Sequence, residues 1–237
     1  MEKEASSAAL ISTRGFLFAL VCGLVGCAAR SPAPAPALQY DLGPLPDWPG
    51  RSTAGPVLEL SVRAGVPVLA TAAMLFRLIY VQAQQVQPYA LARWSQPPVV
   101  LLGQRLRHQL AQRFTVVTPG EVLLSPAPPT PPSGSDPALP KTQPTPQNFG
   151  LRVTLEEFSQ VFASRELSSA LVRVRATLVR HDERGADVLL AQHTLAAQHP
   201  AASADAAGGA LALAAATARL VQDLDDWVAQ VLAHVAV

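Results

Sequence analysis

Cysteine, aromatic residues and net charge are all scarce in this chain. Two cysteines among 237 residues permit one disulfide at most, which excludes a disulfide-stapled scaffold. Lysine and arginine number 18 against 17 acidic residues, a formal charge of +1. That balance produces no field to gather nucleic acid or an acidic lipid surface. Aromatics make up 5%, so aliphatic residues and alanine have to fill the core. No Gly-x-Gly-x-x-Gly or Walker sequence occurs, and nucleotide chemistry has no support. Ser133 and Ser135 flank Gly134, but no Gly-x-Ser-x-Gly elbow is present. The histidines at 108, 181, 193, 199 and 234 are scattered, and neither His193 nor His199 has a carboxylate or cysteine at ligand spacing. Glu156 and Glu157, neighbours on an expected strand, are expected to point to opposite faces, which is unsuited to paired-carboxylate catalysis. Asp223, Asp225 and Asp226 are expected on the solvated side of the last helix. No enzyme activity, no cofactor and no metal site is therefore expected. Long apolar runs are also missing: Ala206–Ala218 ends at Arg219, too short to cross a bilayer.

What the chain does have begins at its amino terminus. Lys3 and Arg14 precede Phe16–Gly26, an uncharged apolar run of 11 residues. A basic start followed by about 7–15 apolar residues is the pattern of a secretory signal, not of a membrane span. Next comes Leu24-Val-Gly-Cys27, which resembles the lipobox of bacterial lipoproteins. The resemblance implies a signal peptide over residues 1–26, cleavage before Cys27, and acylation of the Cys27 thiol, palmitate chains included. Cleavage also discards Cys22, which leaves no thiol for a disulfide or for catalysis. Ala28, where aspartate would favour the inner membrane, implies delivery to the outer membrane. Residues 27–38 hold alternating proline and alanine; they are expected to form an extended tether with about 3.1 Å of reach per residue.

Residues 39–237 are expected to form a single domain with a disordered proline-rich insertion at 125–148, because proline lacks the donor for either regular ladder. Val57–Arg63 alternates with Leu58, Leu60 and Val62 on one face, and Met74–Val81 is apolar except for Arg77. Both read as strands. From Pro97, apolar residues at three- and four-residue spacing predict a helix through Val99, Leu102, Leu106 and Leu110. Phe114–Val117, Leu151–Leu155, Val172–Leu178 and Val188–Gln198 read as further strands, the last two forming a hairpin across a polar turn at His181. A final helix is expected from Gly209 to Val235, with Leu213, Leu220, Leu224 and Val228 on one stripe. This order predicts an α+β fold, an antiparallel sheet with two helices packed on one face.

The succession Tyr40–Gly43, Met74–Arg77, Tyr80, Tyr89, Arg93-Trp94, Pro98 and the Leu101–Leu106 helix resembles the auxiliary lipoproteins of ABC-type transport systems, similar to the lipoprotein of the paraquat-inducible intermembrane system. Phe76 stands where a tyrosine is common in that family, and the 125–148 insertion is long for it. The resemblance implies a non-enzymatic, lipid-anchored protein on the periplasmic face of the outer membrane. Its domain would dock on a tunnel protein of the mammalian-cell-entry class, whose other end engages a permease and an ATPase moving lipid, phospholipid above all. Arg77, Tyr80, Tyr89, Arg93 and Trp94 are the candidate contacts, since arginine and aromatic residues anchor protein interfaces; Tyr80 and Trp94 could equally fill the core. Two alternatives stay open: a structural or assembly lipoprotein serving another outer-membrane machine without lipid transport, and direct lipid carriage between sheet and helices.

Overall fold

The computed structural model describes residues 36–45, 56–119, 148–181 and 186–235. The signal peptide 1–26, residues 27–35 of the tether with Cys27, and all but the last residue of the insertion lie outside the described residues. Strands β1 (Leu38–Tyr40), β2 (Val57–Ala64), β3 (Ala73–Leu78), β4 (Gln87–Trp94), β5 (Thr115–Val117), β6 (Asn148–Phe162), β7 (Ser168–His181) and β8 (Asp187–Pro200) form one eight-stranded sheet. The helices are the single turn α1 (Ile79–Gln82), α2 (Pro98–Leu110) and the long α3 (Ala206–Val235).

β6 is the spine of this sheet. Its first half pairs with β2 and its second half with β3, both in parallel, while β7 runs antiparallel along its whole other edge. The class is α+β as expected, with α2 and α3 in contact on one face. The pairing is mixed, however, where an antiparallel sheet was expected. β3–β4, β6–β7 and β7–β8 are antiparallel; β1–β4, β2–β5, β2–β6 and β3–β6 are parallel. The reason is the route of the chain: β2 and β3 both run parallel to β6, β4 reverses beside β3, and α2 then packs on β2 before β5 and β6 set out again in the direction of β2.

A bulge in β6 between Leu155 and Glu157 shifts the side-chain alternation by one residue. Leu151, Val153 and Leu155 are buried before it, and Phe158, Gln160 and Phe162 after it. Glu156 and Glu157 consequently share the face away from the helices, contrary to the expectation that adjacency separates them. Glu156 reaches Arg175 at 3.4 Å, and Glu157 sits in register with Arg173.

The helix-facing side of the sheet is aliphatic. Val172, Val174, Ala176 and Leu178 of β7 meet Leu213, Leu220, Leu224 and Val228 of α3, all buried. Each such leucine contributes about 1.5–3 kcal/mol. Alanines at 170, 176, 210, 212 and 216 supply small contacts, which is how a core with few aromatics still closes. β3 ends at Leu78, short of the expected Val81, because its neighbour β6 ends opposite it at Phe162; Ile79–Val81 then turn outward as α1.

Asp225 departs most sharply from expectation. Its side chain is fully buried between α2 and α3, not solvated. Gln109 Nε2 donates to Asp225 Oδ2 at 3.0 Å and Arg113 lies 3.5 Å away. Burial holds this carboxyl above its ordinary value, opposed by Gln109 and Arg113 and reinforced by neighbouring Asp226. The folded state then binds the proton more tightly than the unfolded chain, so the contribution to stability is full at acid pH and falls as pH rises through the raised value. Asp225→Asn is expected to raise the melting temperature at pH 7 by about 3 °C, as relief of roughly 1 kcal/mol would in a chain this size. At a pH below the unfolded value the two proteins should melt together. A lower melting temperature at pH 7 would mean that Gln109 and Arg113 outweigh the burial cost.

Candidate functional site

The five candidate contacts fall into three different environments. Arg77 is half-buried on the face away from the helices, where its Nε and Nη2 donate to the two carboxylate oxygens of Glu157 at 3.3 and 2.9 Å. Ser159 Oγ donates to the same carboxylate at 2.6 Å. The single charge of an apolar strand is thus answered within the sheet by a bidentate pair. Trp94, 1% exposed, lies edge-on to Phe158 at 5.4 Å; it fills the core and presents no surface to a partner.

Tyr89 is half-buried. Its ring stacks at a tilt on Phe76, 4.7 Å between centroids. Its hydroxyl donates to Gln160 Oε1 at 2.8 Å, and Gln160 Nε2 donates to Ser168 Oγ at 2.8 Å. Burial pushes the phenol up to about 12, with smaller contributions from Asp205 and Tyr40. Tyr80 and Arg93 remain as accessible side chains. Tyr80 is 44% exposed on α1 between the exposed Ile79 and Val81, and Arg93 is exposed on β4 opposite Gln39 of β1.

The other segments that carried the family resemblance also prove structural. Gly43 has φ +83°, a conformation that glycine adopts without strain. That turn aims the carbonyls of Leu42, Gly43 and Pro44 at the guanidinium of Arg105 on α2. Tyr40–Gly43 and Leu101–Leu106, far apart in sequence, therefore form one clamp. Pro98 is the first residue of α2, where a missing N–H costs nothing.

Sequence reasoning passed over the start of α3. Asp205 Oδ1 accepts from Gly208 N and Ser203 Oγ, each at 2.8 Å. These donors, Gly208 first, hold the Asp205 carboxyl below its ordinary value, as suits an amino-terminal cap. Gly209 lies against the buried Gln160 side chain. The Asp-Ala-Ala-Gly-Gly order of residues 205–209 is the signal that could have found both contacts. Beside them is a cleft of about 370 Å³ lined by Leu38, Tyr40, Tyr89, Leu91 and Ala207 among others. His193 and His199 lie six positions apart on β8, and His193 stacks on Trp227 at 5.9 Å.

No family model matches the chain, and no curated protein does. Solved structures do share its fold. One, a Xanthomonas campestris protein assigned to family DUF330, is 16% identical over 85% of this chain and 96% of its own, with a TM-score of 0.57. A second, an uncharacterized protein, is 14% identical over 81% of this chain and 99% of its own, at 0.53. A Caulobacter crescentus chain aligns at only 0.31, over 56% of this chain, which is too low to extend the likeness.

Proposed function

We propose that the protein is a non-enzymatic, outer-membrane-anchored periplasmic lipoprotein, an accessory component of an ABC-type intermembrane lipid transport system. Cys27 carries the acyl anchor, and the folded domain docks on the end of a mammalian-cell-entry-class tunnel protein that works with a permease and an ATPase. The observation that carries the docking half of this reading is α1. Ile79, Tyr80 and Val81 turn outward in the very segment where the family resemblance is concentrated. A tyrosine between two exposed aliphatic residues is costly in water and suited to a partner's pocket. Phospholipid is the class of cargo that the resemblance points to.

The experiment has two arms. Cys27→Ser should abolish labelling by a fatty-acid analogue and shift the protein out of the outer-membrane fraction, since a protein held by several acyl chains does not release. Equal labelling of wild type and variant overturns the anchor. Tyr80→Ala, with an unchanged melting temperature, should cut co-purification of the tunnel protein by about tenfold, the effect of losing roughly 1.4 kcal/mol at an interface. Recovery of a different outer-membrane assembly, with no permease, ATPase or tunnel protein, would replace the transport reading with the assembly one.

A further inference from the structure

A second apolar surface lies beside Tyr89 where β1 pairs with β4, and no residue of α1 lines it. Leu38 of β1 is 63% exposed, Leu91 of β4 57% and Leu211 of α3 71%. Leu38 and Leu91 line one wall of the 370 Å³ cleft and Ala207 the other. Leu211 follows Ala207 by four positions, so the two share a helix face. A helix lying on a domain surface usually sends charged side chains to water, yet α3 carries none from Ala206 to Ala218. Three large, well-exposed leucines thus surround a cleft whose one lining carboxylate, Asp205, is already held by Gly208 N–H and Ser203.

We infer that this face rests on the lipid surface that holds Cys27. The inference depends on the anchor proposed above and adds the orientation of the domain on the membrane. Its occupant is chosen by the chain itself. Cys27 precedes Leu38 by eleven positions, and at about 3.1 Å per residue eleven positions reach about 34 Å. The chain leaving the anchor therefore enters the domain on the apolar face, with Leu38 as one of its three leucines. A tether that short keeps the face at an effective concentration on the order of millimolar near the bilayer, so even weak partitioning holds it there. Arg93 is exposed beside this edge, where β1 and β4 pair, and supplies a cation for lipid phosphate at the rim. The leucines enter the interfacial region, α1 stays clear of it, and Tyr80 remains open to a protein.

The test uses the full acylated protein, reconstituted in vesicles of phosphatidylethanolamine with a minority of phosphatidylglycerol. Leu91→Cys, Leu211→Cys and, on the far edge strand, Thr194→Cys each receive an environment-sensitive fluorophore on the introduced thiol. Labels at 91 and 211 should brighten several-fold on vesicles and be quenched by a nitroxide lipid at interfacial depth; the label at 194 should do neither. Adding Leu91→Asp to the 211-labelled protein should remove its signal while anchoring persists. If the protein is acylated and floats with the vesicles but 91 and 211 read as wet as 194, the inference fails and the anchor stands. Signals that appear only at high protein density assign the face to a second copy and overturn it. A protein that carries no fatty acid and does not float overturns the anchor, and the inference with it.

Discussion

Replacing Gly209 by alanine is expected to lower the melting temperature by about 8 °C, the consequence of roughly 3 kcal/mol of overpacking and lost hydrogen bonds in a domain of this size. In an open helix the same change would stabilise by about 1 kcal/mol. Here the sign reverses. A β-carbon at 209 would overlap the amide oxygen of Gln160. That amide cannot swing aside cheaply, because it is fully buried and held by Tyr89 on one side and Ser168 on the other. Calorimetry of Gly209→Ala, Gln160→Ala and the double variant tests the mechanism. The double variant should melt above Gly209→Ala alone, since removing the obstacle removes the clash. A Gly209→Ala protein that melts at or above wild type would show that Gln160 yields freely and that the network does not fix the start of α3.

Arg77→Ala is expected to cost about 2 kcal/mol, or roughly 6 °C in melting temperature. The estimate lies between an exposed pair and a buried one because both partners are only partly shielded from water. Truncation leaves Glu157 half-buried, with Ser159 its remaining side-chain donor. Arg77→Ala/Glu157→Ala should recover more than half of the loss, as expected when the penalty is a stranded charge and not a lost attraction. Arg77→Lys should fall between, since an ammonium cannot make both contacts of the fork. Partner recovery by folded Arg77→Ala should match wild type. A variant with unchanged stability and weakened partner recovery would return Arg77 to the docking surface.

The parts of the fold legible in the sequence are those where one face is buried and the other wet. Leu58, Leu60 and Val62, the alternation through Val172–Leu178, and the stripe of α3 each follow from a single dry side. Pairing partners were not legible: nothing local in Val57–Ala64 marks it as the parallel neighbour of residues 148–155. β4 escaped notice because Pro88 and the exposed Leu91 break its alternation. The bulge at Glu156 is likewise silent, since an extra residue reads as ordinary strand until a partner is laid beside it. The site was half legible. A lone arginine in an apolar strand had to be paired or functional, but only the fold brings Glu157 to it. Tyr80 and Trp94 both could have filled the core; Tyr80 faces water because β3 stops three residues before Val81, and Trp94 faces the core as the last residue of β4. Asp225 looked solvated because its neighbours Asp223 and Asp226 are, and α2 arrives over it from more than a hundred positions away.

The place of β6 also sets the order in which the molecule can be made. Arg63 and Thr154, hydrogen-bonded side by side, are 91 positions apart, so β2 and β3 are complete long before the strand that joins them leaves the ribosome. Until then each presents an unpaired edge, the kind of surface on which chains stick to one another. Folding dominated by such distant pairings belongs to the slower, millisecond-to-second class. A fragment ending before residue 148 should accordingly precipitate where the whole chain stays in solution. Until β6 is available, nothing in the fold itself covers these edges.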